Sequence, residues 1–171
     1  VIHDIIEETT FSAVGLRLGT TGGGSPTNNL VANNFIYNVR ANGTTGDQAV
    51  GLGISGGNTD TVANNSISMI GDVDPGVTAA TSNFGSGIRL GVASGSSHAN
   101  LTLRNNSIYM DLSSSSTAGA RYYAISGPSN AYSFGTGGEN YNNFYINPAN
   151  TQLQTGGLGT GSGNTLSSQF A

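Results

Sequence analysis

Charge is what this sequence has least of. Only 8% of its 171 residues are charged, five arginines and nine acids with no lysine, against roughly 25% in an ordinary domain. The arginines are scattered over positions 17, 40, 89, 104 and 121 and the formal charge is −4, so the basic cluster of a nucleic-acid-binding surface is missing. No apolar run reaches the length of a membrane-spanning helix, and direct membrane insertion is not expected. A basic start followed by an apolar core is also lacking, so no signal peptide is read here. Cysteine is absent, which removes disulfides without fixing a compartment, because stacked repeats gain their stability from one another. No segment carries a sustained helical period with a cap.

What the chain has instead is repetition. Residues 31–37 read Val-Ala-Asn-Asn-Phe-Ile-Tyr. The same pattern, an apolar residue, then an Asn pair, then Ile two residues on, returns at 62–68 and 103–109, and more loosely at 141–146. A second motif has its anchors at Gly15, Gly51, Gly87 and Ala124, spaced 36, 36 and 37 residues apart. Two motifs with one mean period and different local jitter imply two fixed strands per repeat, joined by loops that absorb the variation. Alternation supports strands: Leu16 and Leu18, or Leu101 and Leu103, face one way while Arg17 and Thr102 face the other. Strands that recur with one polarity pair in parallel with their copies. With 27 Gly, 20 Asn and many Ser and Thr, the turns suit a chain that bends repeatedly. The expectation is an all-β, right-handed parallel β-helix, a solenoid of about four to five coils of about 36 residues, forming a rod ~20–25 Å long.

The apolar-x-Asn-Asn-x-Ile pattern resembles the right-handed parallel β-helix repeats of pectate-lyase-like proteins. The wording of residues 31–37, 121–125 and 140–145 is similar to that of large secreted surface proteins of Bacteroidetes-type bacteria. The resemblance covers residues 1 to about 150. It implies the fold and, with the composition, a secreted or cell-surface setting. The same scaffold carries lyases, hydrolases, adhesins and stalks.

In chain order, residues 1–6 read as the tail of an Asn-pair strand, so coils 1–146 are expected to start mid-coil, as a fragment of a longer chain. Residues 70–83 are the longest insertion. Residues 147–171, with Pro148 and a Gly-rich run at 156–163, are expected to be irregular, as a cap or a linker.

The candidate chemistry is sparse. One Asn of each pair, Asn34, Asn65, Asn106 and Asn143, is expected to form a side-chain ladder at a bend, because an amide both donates and accepts. Sequons at Asn42, Asn64, Asn100 and Asn105 are short enough to arise by chance in so Asn-rich a chain. Arg17 and Arg89 occupy equivalent outward positions two coils apart, with Gly53 between them. In pectate lyases an outward Arg is the base beside calcium-holding carboxylates; here the aligned positions, Gly53 and Ser126, are not acids. A solvated position or a sugar contact is the expectation for both arginines. Asp72 and Asp74 are the candidate calcium pair, since hard oxygens two residues apart suit that ion; no other cofactor is expected. His3 and His98 lack metal-ligand partners and read as surface or end residues. Tyr37 and Tyr109 recur at one position with Ser68 between them, as an aromatic platform for a sugar ring or as a cover for the sheet.

Two function classes follow. One is a non-catalytic structural or adhesive extracellular module, a stalk, filament or adhesin segment whose partners are neighbouring coils, copies stacked end to end, or a glycan. The other is a polysaccharide lyase, glycoside hydrolase or carbohydrate-binding β-helix. Glycosidases need two carboxylates ~5–9 Å apart, and no column of two acids is legible, which favours the first class.

Overall fold

The computed structural model describes residues 1–7, 12–19, 27–41, 48–74, 84–91, 97–116, 119–127 and 132–158. The sequon at Asn42, most of the 70–83 insertion and the end of the Gly-rich run lie outside them. The described residues are all-β, with no helix among them. The chain proceeds in rounds. The first holds β1 (Ile2–Glu7), β2 (Ala13–Leu18) and β3 (Leu30–Ala32). The second holds β4 (Phe35–Ala41), β5 (Gln48–Ile54), the short β6 (Gly57–Asn58) and β7 (Thr61–Ala63). Then come β8 (Ser66–Asp72), β9 (Phe84–Leu90) and β10 (His98–Arg104), followed by β11 (Ser107–Ser113), β12 (Arg121–Gly127) and β13 (Tyr132–Asn140). The described chain closes with β14 (Asn143–Ile146) and β15 (Leu153–Leu158).

These strands form three parallel sheets, each visited once per round. The first is β1-β4-β8-β11-β14 and the second is β2-β5-β9-β12-β15. The third is β3-β7-β10-β13, with β6 also pairing β10. The expected two strands per repeat are therefore three. The extra one arises because the Asn pair divides what reads as a single strand. Asn33, Asn64 and Asn105 have φ of 60°, 56° and 54°, a left-handed conformation that Asn tolerates better than most residues. The chain turns there, from the third sheet into the first. A second correction concerns the C-terminal segment: residues 153–158, expected to be irregular, form β15 and pair with β12. Leu153 is buried opposite Tyr122, and that apolar contact outweighs the local glycines.

Register stacks Ile36 on Ile67 on Ile108 in the first sheet. In the second it stacks Leu16, Leu52, Ile88 and Ile125. Ile36, Ile67, Ile108, Leu52, Ile88 and Ile125, with Val62 and Leu103 of the third sheet, are buried in one core, whose removal from water is the main stabilising term. The two sequence motifs interlock here. A Cβ on Gly51 would come within 2.6 Å of the Ile67 Cγ2 and 2.7 Å of the Gly87 carbonyl oxygen. One on Gly87 would meet the Ile108 Cγ2 at 2.5 Å. The Ile that follows each Asn pair thus packs onto the glycine of the other motif.

Candidate functional site: an outward aromatic column

Side chains alternate along a strand, so the residue after each inward apolar residue of the first sheet, Ile2, Ile36, Ile67, Ile108 and Phe144, faces out. Those residues are His3, Tyr37, Ser68, Tyr109 and Tyr145, in register from β1 to β14. His3 stacks on Tyr37 with ring centroids 4.9 Å apart and planes within 4°. Tyr109 stacks on Tyr145 at 5.0 Å and 9°. Phe35 leans on Tyr37 at 5.1 Å. Tyr109 and Tyr145 are 40% and 50% exposed. The column is thus two ring pairs separated by one serine. Beside that serine a concavity of about 480 Å³ is lined by Phe35, Tyr37, Asn38, Ser68 and Ile70.

The Asn ladder lies at the bend between the third and first sheets. Asn65 Oδ1 accepts from the Asn34 amide at 3.1 Å and from Asn34 Nδ2 at 2.9 Å. Asn106 Oδ1 accepts from Asn65 in the same way, and Asn65 Nδ2 also donates to the Val31 carbonyl at 3.0 Å. Each rung caps the strand before it and receives the next, which satisfies buried backbone groups at every level. The fourth rung is Asn142, whose Oδ1 accepts from Asn106 at 3.1 and 2.9 Å. Asn143 is not in the ladder: it starts β14 opposite Ser107. Tyr141 (φ 57°) takes the left-handed place held by the first Asn elsewhere, which shifts the motif by one residue.

A second bend, entering the third sheet, is built alike. Asn28, Thr59 and Asn100 have φ of 56°, 55° and 52°, and the next inward residues include Asn29 and Asp60. Asp60 Oδ1 accepts from the Asn29 amide at 2.8 Å and Nδ2 at 2.9 Å, the ladder geometry again. A carboxylate has no N–H to offer where Asn has Nδ2. Its other oxygen instead meets His98 Nε2 at 2.9 Å, with both side chains fully buried. His98 Nδ1 lies 3.0 Å from the Ala99 carbonyl, and the ring is 6.1 Å from that of Tyr132. His98, read as a surface residue, is therefore a buried partner. The legible signal was that Asp60 follows Thr59 as Asn29 follows Asn28.

Arg17 and Arg89 occupy one column with Gly53 between them, but in different surroundings. Arg17 is exposed and its Nε donates to Ser55 Oγ at 2.8 Å. Arg89 is only 3% exposed, which corrects the solvated reading. It lies on an outer face where Val50, Ser86, Tyr123 and Ser126 are buried too. Arg89 Nη1 donates to Ser126 Oγ at 3.1 Å, and Ser126 Oγ contacts Ser86 Oγ. Burial lowers the guanidinium to about 10, since a low-dielectric site disfavours the charged form.

Asp72 and Asp74 act as a clasp between the ends of β8 and β11. Asp74 accepts from the Ser114 hydroxyl at 2.7 Å, from the Ser115 amide at 3.1 Å and from Ser116 Oγ. Asp72 Oδ1 accepts from the amides of Asp74 and Ser115. Burial raises the Asp72 carboxyl, but these bonds and that of the Ser115 side chain outweigh it, and the net direction is down. Donors thus point at the oxygens a calcium ion would need, and among the described residues no group of three His, Cys, Asp or Glu could hold a metal. A nearby polar concavity of about 550 Å³ is lined by Asp111, Ser114, Asn147 and residues 149–152. Asn147 Nδ2 donates to Asp111 there, and Asn150 Nδ2 to the Leu112 carbonyl.

No protein-family model, curated protein or solved structure matches the chain.

Proposed function

We propose that this chain is a right-handed parallel β-helix of about four to five coils of about 36 residues, acting as a non-catalytic structural or adhesive module at or outside the cell surface. One observation carries the functional reading. The buried polar side chains, Asn65, Asn106, Asp60, His98, Asp74 and Ser126, bond to strands or bends one round away, and none of them lines either concavity described above. Catalysis needs an acid, base or nucleophile presented to a substrate; here such groups hold the scaffold together. The rotation through three parallel sheets supports the helix reading, as do register offsets such as Ile2 to Ile36 and Leu16 to Leu52. The hand follows from the bias of parallel crossovers. Low charge and Gly/Asn/Ser-rich turns support the extracellular setting.

Incubation with neutral and acidic polysaccharides, with and without calcium, tests it. No new chain ends should appear. Depolymerisation that is lost in Arg89→Ala would replace this reading with a lyase.

A further inference from the structure

We propose that the gap in the aromatic column at Ser68 is a binding site for one neutral pyranose ring, held between the faces of Tyr37 and Tyr109. The stacked neighbours set the scale: one round separates ring centroids by 4.9–5.0 Å. Tyr37 and Tyr109 lie one round either side of Ser68, so their rings are two strand spacings apart, roughly 10 Å centre to centre. Stacking on His3 and on Tyr145 aligns both tyrosines across the sheet. Each wall of the slot is therefore held by a stacked neighbour before a guest arrives, which lowers the cost of binding. A pyranose chair, whose axial C–H bonds project from both faces, fills such a gap by contacting a ring on each side.

The rim is suited to a sugar as well. The floor is the Ser68 side chain, and the exposed Ser66 and Ser107 sit on adjoining positions of β8 and β11. These hydroxyls donate and accept, which matches sugar hydroxyls at the ring's edge. Asp111, one outward position further along β11, adds an acceptor. With a formal charge of −4 and no lysine, the surface disfavours an anionic guest such as a nucleotide or an acidic sugar. Binding here does not depend on the scaffold reading above. Its failure would leave the non-catalytic assignment untouched, and turnover of a polysaccharide would overturn that assignment without emptying this slot.

The test uses the full chain with neutral β-linked hexose oligosaccharides, and with a nucleoside monophosphate and an oligogalacturonate as anionic probes. The readouts are saturation-transfer NMR and tyrosine fluorescence, which the absence of tryptophan leaves uncontaminated. The neutral sugars are expected to bind, and Tyr37→Ala or Tyr109→Ala to weaken binding roughly tenfold each. Ser68→Tyr is the decisive variant: it inserts a ring into the gap, completes the column and should abolish binding while the melting temperature holds or rises. Tyr141→Ala, an exposed ring outside the column, should bind like the parent. Binding that survives Ser68→Tyr, preference for an anionic probe, or no signal with any neutral oligosaccharide at millimolar concentration would each overturn the proposal.

Discussion

At the residue scale, the bends depend on which member of an Asn pair does which task. Asn65 is buried and its side chain is bonded on both sides, whereas Asn64 is exposed and contributes a left-handed φ and a backbone N–H to the Arg104 carbonyl. Asn65→Ala should therefore lose about 1–3 kcal/mol through unsatisfied partners, and Asn64→Gly should change little, since glycine adopts that φ without strain. Urea unfolding of both variants checks the difference; equal losses would remove the distinction. The Asp60–His98 pair makes a sharper case. His98→Ala leaves one oxygen of a fully buried carboxylate without a donor, Asn29 still serving the other, and should lose about 3–5 kcal/mol. Adding Asp60→Asn removes the stranded charge and restores an amide rung, so the double variant should be more stable than His98→Ala alone. A double variant less stable than either single one would contradict this. The pairs at 33/34, 64/65 and 105/106 are legible because Asn is one of few residues that both turn a bend and ladder. The fourth is not, because Tyr141 occupies the left-handed position and the visible Asn-Asn lies one residue late. Asp60 was missed for a related reason: it performs an Asn's task with a different side chain and completes it with a histidine 38 residues away.

At the element scale, the parallel strands and their apolar columns could be read from period and alternation, but the third sheet could not. β3 and β7 are three residues long, too short to show a pattern of their own, and only the turn at the first Asn separates them from the strand that follows. Nor could burial of the second sheet's outer face be foreseen, because what covers Arg89 is set by packing between elements far apart in sequence. That sheet and its loops also hold a group with a readable pH signature. The Tyr122 hydroxyl is buried beside Ser114 and Asp74 without a well-aligned hydrogen bond. Burial first, then the charges of Asp74 and Asp72, push the phenol far above its ordinary range. The folded state keeps this proton where the unfolded chain loses it, so the stability it contributes is full below pH ~10 and falls as pH rises beyond. Arg89 opposes this: its folded value of about 10 means that its burial penalty is relieved between there and the unfolded value. Tyr122→Phe leaves Arg89 in place and removes the falling contribution. It should melt within ~1 kcal/mol of the parent at pH 8 and be clearly the more stable of the two at pH 11. Parallel melting curves across that range would exclude Tyr122 as an alkaline trigger.

At the scale of the whole molecule, the outermost strands of the three parallel sheets are of special interest. Among the described residues, β1, β2 and β3 each pair with a strand on one side only. That round carries Val1, Ile5, Ile6 and Leu30 as exposed apolar side chains, with Leu16, Leu18 and Val31 only partly buried against the core. Unpaired parallel edges beside an apolar rim are a general template for strand addition, and we propose that a second copy adds there. The isolated chain should therefore associate in a concentration-dependent way through this end. Replacing Ile6 and Leu30 together by Lys should shift it to a monomer in sedimentation velocity, because lysines on an edge discourage strand addition. Both residues are exposed, so the fold should survive, and an unchanged circular dichroism spectrum would establish that the loss is one of association. A parent chain that sediments as a monomer over the whole accessible concentration range would refute stacking through this edge.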